Sequence, residues 1–71
     1  MRYSASLVRL CKQYAQVIRD IERGLCRDEA AEKDFERSEL HHRIRDLMCR
    51  LHIATDYDDV HALALDIAKN E

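Results

Sequence analysis

Seven side chains of this chain of 71 residues could carry metal or thiol chemistry: Cys11, Cys26 and Cys49, with His41, His42, His52 and His61. Zinc takes its ligands from these two residue types, usually four arranged as a tetrahedron. Cys49-x-x-His52 sets two of them on neighbouring turns of one helix face. His42 shares that face, but seven residues of helix separate it from Cys49. That is about 10.5 Å, too far for one ion. A full ligand set would need Cys26 or His61 to arrive from another element, and there is no Cys-x-x-Cys. The expectation is therefore no metal and no cofactor. Cys11 reads as a small core residue, Cys49 as a helix contact and His52 as support for a helix C-terminus. A metal or redox sensor built on Cys26, Cys49 and the histidines is the contrasting reading.

A reactive thiolate needs a helix N-terminus or a cationic neighbour. Cys26, followed by Arg27 just before the second helix, is the one candidate. Catalysis also needs a base and a pocket, which two or three short helices hardly enclose. No catalytic residue is assigned, and the chain is read as a non-enzyme. Asp56, Tyr57, Asp58 and Asp59 form an acidic run. A calcium loop requires Asp-x-[Asp/Asn]-x-[Asp/Asn]-Gly. Asp56 and Asp58 fit, but Val60 holds the fifth position and no glycine follows. The run reads as a capped helix start that suits the helix dipole, and as a charged patch for a basic partner.

The elements that position these groups are helices. Leu7, Cys11, Tyr14, Ile18, Ile21 and Leu25 are spaced 4, 3, 4, 3 and 4, and Leu40, Ile44, Leu47 and Leu51 are spaced 4, 3 and 4. Both are the a/d pattern of helices packed along one another. There is no Pro and one Gly. The fold class predicted is all-α: a helical hairpin plus a short third helix, in a single small domain over residues 1–71. Helix 1 is expected over about 4–23, capped by Ser4 or Ser6 and closed by Gly24. The alternative is a helix that passes through Gly24 to Cys26, because Leu25 continues the repeat. Helix 2 is expected over about 28–53, with Asp28 as N-cap. Phe35 and Ile44 fall on opposite faces at about 100° per residue. Either helix 2 breaks near Ser38 or both of its faces are buried. Helix 3 is expected over about 56–69, capped by Thr55 or Asp56, with Val60, Leu63, Ala64 and Ile67 at helical spacing.

A chain this short buries about 60% of the surface its unfolded form exposes, so its own core is marginal. Two apolar seams therefore predict a homodimer that forms a helical bundle, with Leu7, Cys11, Tyr14, Ile18, Ile21, Leu40, Ile44, Leu47 and Leu51 as core seam and dimer contact. Phe35 and Tyr57 lie off the seams. They and Asp56, Asp58 and Asp59 are the candidates for binding a partner protein. His41, within about 20° of Met48 around the helix, borders the seam and could make association pH-sensitive. The net charge is −2, and acids and bases alternate along the chain. Nucleic-acid binders carry a basic face, so no direct nucleic-acid contact is expected. No apolar run is long enough for a signal peptide or a membrane span. The three cysteines show no paired spacing, and a cytoplasmic location is expected.

In size and helix content the chain resembles the small helical regulators of phages and mobile elements, many of which bind a host protein. That likeness implies a regulator that modulates a partner. The residues Arg9-x-Cys11, Arg19-x-Ile21-Glu22, Phe35 and His42-Arg43-x-x-x-Leu47 are also similar to the Hha/YmoA family of nucleoid-associated modulators. The family's Asp before His-Arg is His41 here, and its C-terminal Pro and Trp have no counterpart. This second resemblance implies a transcription modulator acting through a DNA-binding partner.

Overall fold

The computed structural model describes residues 3–24 and 27–71. Leu25 and Cys26 lie outside them, and with them the last repeat position and the candidate reactive thiol. Ser4 caps the first helix, its Oγ accepting from the Leu7 N–H at 3.2 Å. Helix α1 covers Ala5–Glu22. It ends as Gly24 turns to φ +82°, and the Gly24 N–H bonds the Ile21 carbonyl at 3.2 Å. The left-handed region costs a side-chain-bearing residue about 1 kcal/mol, which glycine avoids.

Helix α2 covers Arg27–Arg50 and runs through Ser38 without a break. Asp28 lies inside its first turn with Glu29, where both complement the helix dipole. The opposed faces of Phe35 and Ile44 are resolved simply: Ile44 is buried and Phe35 is 67% exposed. The helix stops three residues earlier than its pattern predicts. His52 takes φ +57°, its N–H bonds the Cys49 carbonyl at 3.2 Å, and the Ile53 N–H reaches back to the Met48 carbonyl at 2.9 Å. These two bonds form a Schellman cap with histidine where glycine is usual. Helix α3 covers Tyr57–Asn70, with Asp56 as N-cap. The Asp56 carboxylate makes no capping bond; Asp58 and Asp59 supply negative charge in the first turn instead.

Helix α1 is the central element, and α2 and α3 each pack on it more than on one another. Its buried row is Leu7, Cys11, Tyr14 and Val17. Helix α2 adds His41, Ile44 and Met48, and α3 adds Val60, Ala64 and Ile67. The buried row on α2 is thus turned from the expected Leu40–Ile44–Leu47–Leu51 line towards α3, which fills that side of the hairpin. Leu40 and Leu47 become flanking residues, partly buried. Leu51 lies beyond the end of α2 and is 51% exposed. On α1, Ile18 and Ile21 are only partly buried. No residue of α2 before His41 is buried, so the three-helix core ends near Tyr14 and His41. Among the described residues there is no strand, and no helix is long and apolar enough to cross a membrane.

Candidate functional site

Where the core ends, all three helices contribute one aromatic and cationic cluster. Tyr14 comes from α1, Arg37 and His41 from α2, and Tyr57 and His61 from α3. The Tyr14 hydroxyl bonds His61 Nδ1 at 2.5 Å. Arg37 Nη1 donates to Tyr57 Oη at 2.8 Å, while its Nε donates to Asp34 at 3.1 Å. The His41 ring stacks on Tyr57 with centroids 4.0 Å apart and 22° between planes. It also meets the Tyr14 ring at 5.8 Å. His41 Nε2 lies 3.4 Å from the Tyr57 carbonyl, a long donor contact. Burial holds the His41 pKa below its ordinary value, and the positive charges of Arg37, His61 and Arg45 push the same way. Burial raises the Tyr14 phenol, helped by Tyr57 and opposed by Arg37. No buried side-chain nitrogen or oxygen among the described residues lacks a partner. This is the signature of a structural network, in which the buried polar atoms are satisfied by one another.

The hairpin face away from α3 is different in kind. A groove of about 440 Å³ runs between α1 and α2, with Val17 and Leu40 on its floor. Gln13, Gln16, Asp20, Lys33, Glu36, Glu39 and Arg43 form its rim. Seven residues bring a helix face back to within about 20°, so Leu10 continues the Val17 line and Leu47 continues the Leu40 line. All four are apolar, and Leu10, Leu40 and Leu47 remain partly exposed. On the rim, Lys33 pairs with Asp20 at 3.5 Å and with Glu36 at 3.3 Å. Among the described residues, Glu39 and Arg43 form no ion pair, although their spacing predicts one. At the same four-residue spacing, Asp46 and Arg50 do pair, at 3.2 Å.

A third surface is the outer side of α1. Arg9, Lys12, Gln16, Arg19 and Arg23 are all exposed. At about 100° per residue they fall within one sector of roughly 80°. None of the four cations has an ion-pair partner among the described residues. The α3 segment is net acidic, with Asp56, Asp58, Asp59, Asp66 and Glu71 against the single Lys69, while α2 carries both signs along its length. The helix thus gathers on one face of α1 a basic strip that the alternation of signs along the chain conceals. The signal was present in the 9, 12, 16, 19, 23 spacing, which places one base or amide on every turn of one face.

The residues singled out for chemistry do not converge. Cys11 is fully buried between helices, and burial pushes its thiol up to about 11, so it is a packed, inert thiol. Cys49 is half-buried near His42, Arg45 and Asp46. His52 leaves the helix at its left-handed φ, so Cys49-x-x-His52 is not a pair on one helical face. Among the described residues no three of His, Cys, Asp and Glu are grouped to hold a metal ion. Of the partner-binding candidates, Phe35 is exposed on the outer side of α2, and Asp56, Asp58 and Asp59 are exposed around the start of α3. Tyr57 is 50% exposed, yet its ring and hydroxyl serve the inter-helix cluster. Comparison with protein-family models, curated proteins and solved structures finds no match.

Proposed function

We propose that this chain is a small non-enzymatic helical regulator that dimerises through the hairpin face opposite α3 and acts by binding a partner protein. One observation carries the reading: Leu10, Leu40 and Leu47 stay partly exposed on the hairpin, beside a groove whose lining includes no residue of α3. Half-covered aliphatic ridges on two adjacent helices are what a four-helix bundle buries. The rim supports a second copy as the occupant. Among the described residues Glu39 and Arg43 form no ion pair, and a two-fold related copy offers each the other, as a self-complementary interface requires. A domain of this size also has little core of its own, and association is a common remedy. Phe35 remains on the outer side of such a dimer, available to a partner.

Sedimentation at micromolar concentration tests the assembly, and a mass near twice 8.4 kDa is expected. Leu40→Glu should give a helical monomer. Glu39→Arg and Arg43→Glu should each weaken the dimer, and the double exchange should restore it. A wild-type chain that remains monomeric and melts independently of concentration overturns the proposal, as does a dimer indifferent to all of these changes.

A further inference from the structure

We propose that the outer face of α1, carrying Arg9, Lys12, Arg19 and Arg23, is a docking strip for an acidic helical segment of a partner protein. The inference rests on the reading of the chain as a protein-binding regulator and names the chemistry of what it binds.

All four cations are exposed, and none is neutralised by an ion pair within the described chain. Lys33, Arg37 and Arg50 of α2 each have a carboxylate within 4.0 Å, whereas no cation of the strip does among the described residues. The strip is continuous in sign. Gln16 fills the turn between Lys12 and Arg19, and the nearest acid on α1, Asp20, is turned to Lys33 at 3.5 Å and to Gln16 at 3.1 Å. Glu22 lies about 60° further round the helix than Arg19. Glu71 shares a shallow hollow with Arg9 and Lys12 without pairing to either.

The geometry of the strip selects among anions. From Arg9 to Arg23 it runs about 21 Å along one straight helix at 1.5 Å per residue. Its charges recur at three- and four-residue intervals, which is the interval at which carboxylates recur on a facing helix. The outer sector holds no aromatic side chain on which a base could stack. It also holds no large apolar side chain to enter a lipid interface. Four point contacts with neither addition make a poor single-strand or membrane site, and they neutralise fewer phosphates than the roughly 6–10 that a duplex-binding protein contacts. They make a sufficient guide for an acidic helix whose apolar residues find their own contact nearby. Charge complementarity of this kind sets register and encounter rate more than total affinity.

The test uses the whole chain and three fluorescent probes: a helical peptide of about 20 residues with Glu at three- and four-residue spacing, a random-sequence DNA duplex, and phosphatidylserine vesicles. Anisotropy should rise with the peptide at low salt and fall towards zero as salt rises and the Debye length shortens. Arg9→Glu with Arg19→Glu should weaken peptide binding by about tenfold, from two attractions turned into repulsions. Both residues are exposed, so circular dichroism and the sedimenting mass should not change. Peptide binding that the double variant leaves untouched overturns the proposal. So does duplex or vesicle binding tighter than peptide binding, or no peptide binding at all. Loss of the dimer in the wild-type chain would instead count against the assembly proposed above, which keeps the two failures distinct.

Discussion

Lowering the pH from 7.5 towards 5 should destabilise this fold chiefly through His41. The ring is 5% exposed and stacked on Tyr57, with Tyr14 of α1 behind it. The charged and titratable groups that face it are Arg37 and Arg45 of α2 and His61 of α3, and each opposes a positive charge on His41. Asp34 is the acid of the network, and it is bonded to Arg37. The fold therefore lowers the His41 pKa from its ordinary 6.5. With the folded value depressed, the unfolded chain binds the proton more tightly. The stability is fully present above about pH 6.5 and is lost as pH falls through the folded value. Each tenfold weakening of proton binding by the fold removes about 1.4 kcal/mol once the ring is fully charged. A domain of this size has roughly 4–11 kcal/mol in total, so the loss is a sizeable fraction. Urea unfolding at pH 7.5, 6.5 and 5.5 measures it. His41→Gln keeps a polar ring-sized group that does not titrate, and it should flatten the pH dependence in this window. A flat wild-type profile, or a His41→Gln profile as steep as the wild type, refutes the reasoning.

His52→Gly should raise the melting temperature by a few degrees. The cost of about 1 kcal/mol for a side chain at left-handed φ disappears, offset in part by the greater freedom of glycine in the unfolded state; a lower melting temperature would count against the capping assignment. Ile44→Ala should cost about 2–5 kcal/mol in urea unfolding because it empties a fully enclosed site. Phe35→Ala should change the stability of the isolated chain by less than about 0.5 kcal/mol, and a loss as large as that for Ile44 would show Phe35 to be packed. Iodoacetamide at pH 8 should spare Cys11 in the folded protein and label it after denaturation, as peptide mass mapping will show; rapid labelling of the native chain would mean that Cys11 is not enclosed.

Much of the fold was legible in the sequence because helix periodicity is a local property. Leu7, Cys11 and Tyr14 repeat at four and three residues, and they are buried where that repeat places them. Gly24 stops α1 because its φ is positive, as a lone glycine after an apolar repeat suggests. The angular position of His41 beside Met48 placed it at the seam, and it is buried. What the pattern could not supply was the direction from which a third helix would arrive. Helix α3 takes one side of the hairpin, turns the buried row of α2 to His41–Ile44–Met48, and leaves Leu40 and Leu47 as flanks. Leu51 looked like the next repeat position, but nothing in its residue type announces that His52 will take a left-handed conformation and end the helix.

The charged surface was the least legible part, and the reason is geometric. Read in one dimension, acids and bases mix along this chain and cancel to −2. A helix winds that line into faces, and residues three, four and seven apart become neighbours while adjacent ones part. Asp20 and Arg19 stand side by side in the sequence, yet Asp20 turns to Lys33 on α2 and Arg19 faces outward. A nearly neutral chain can thus carry a basic strip on one face of α1, with the balancing acids on α2 and in the α3 segment. Screening at physiological ionic strength confines each field to about 8 Å, less than the 18–21 Å shorter dimensions of the molecule. The strip is therefore felt locally along Lys12 to Arg23, and is tempered where Glu71 shares the hollow with Arg9 and Lys12. A partner meets the sign of the face it approaches rather than the net charge, and that is why composition alone was a poor guide to what this chain can bind.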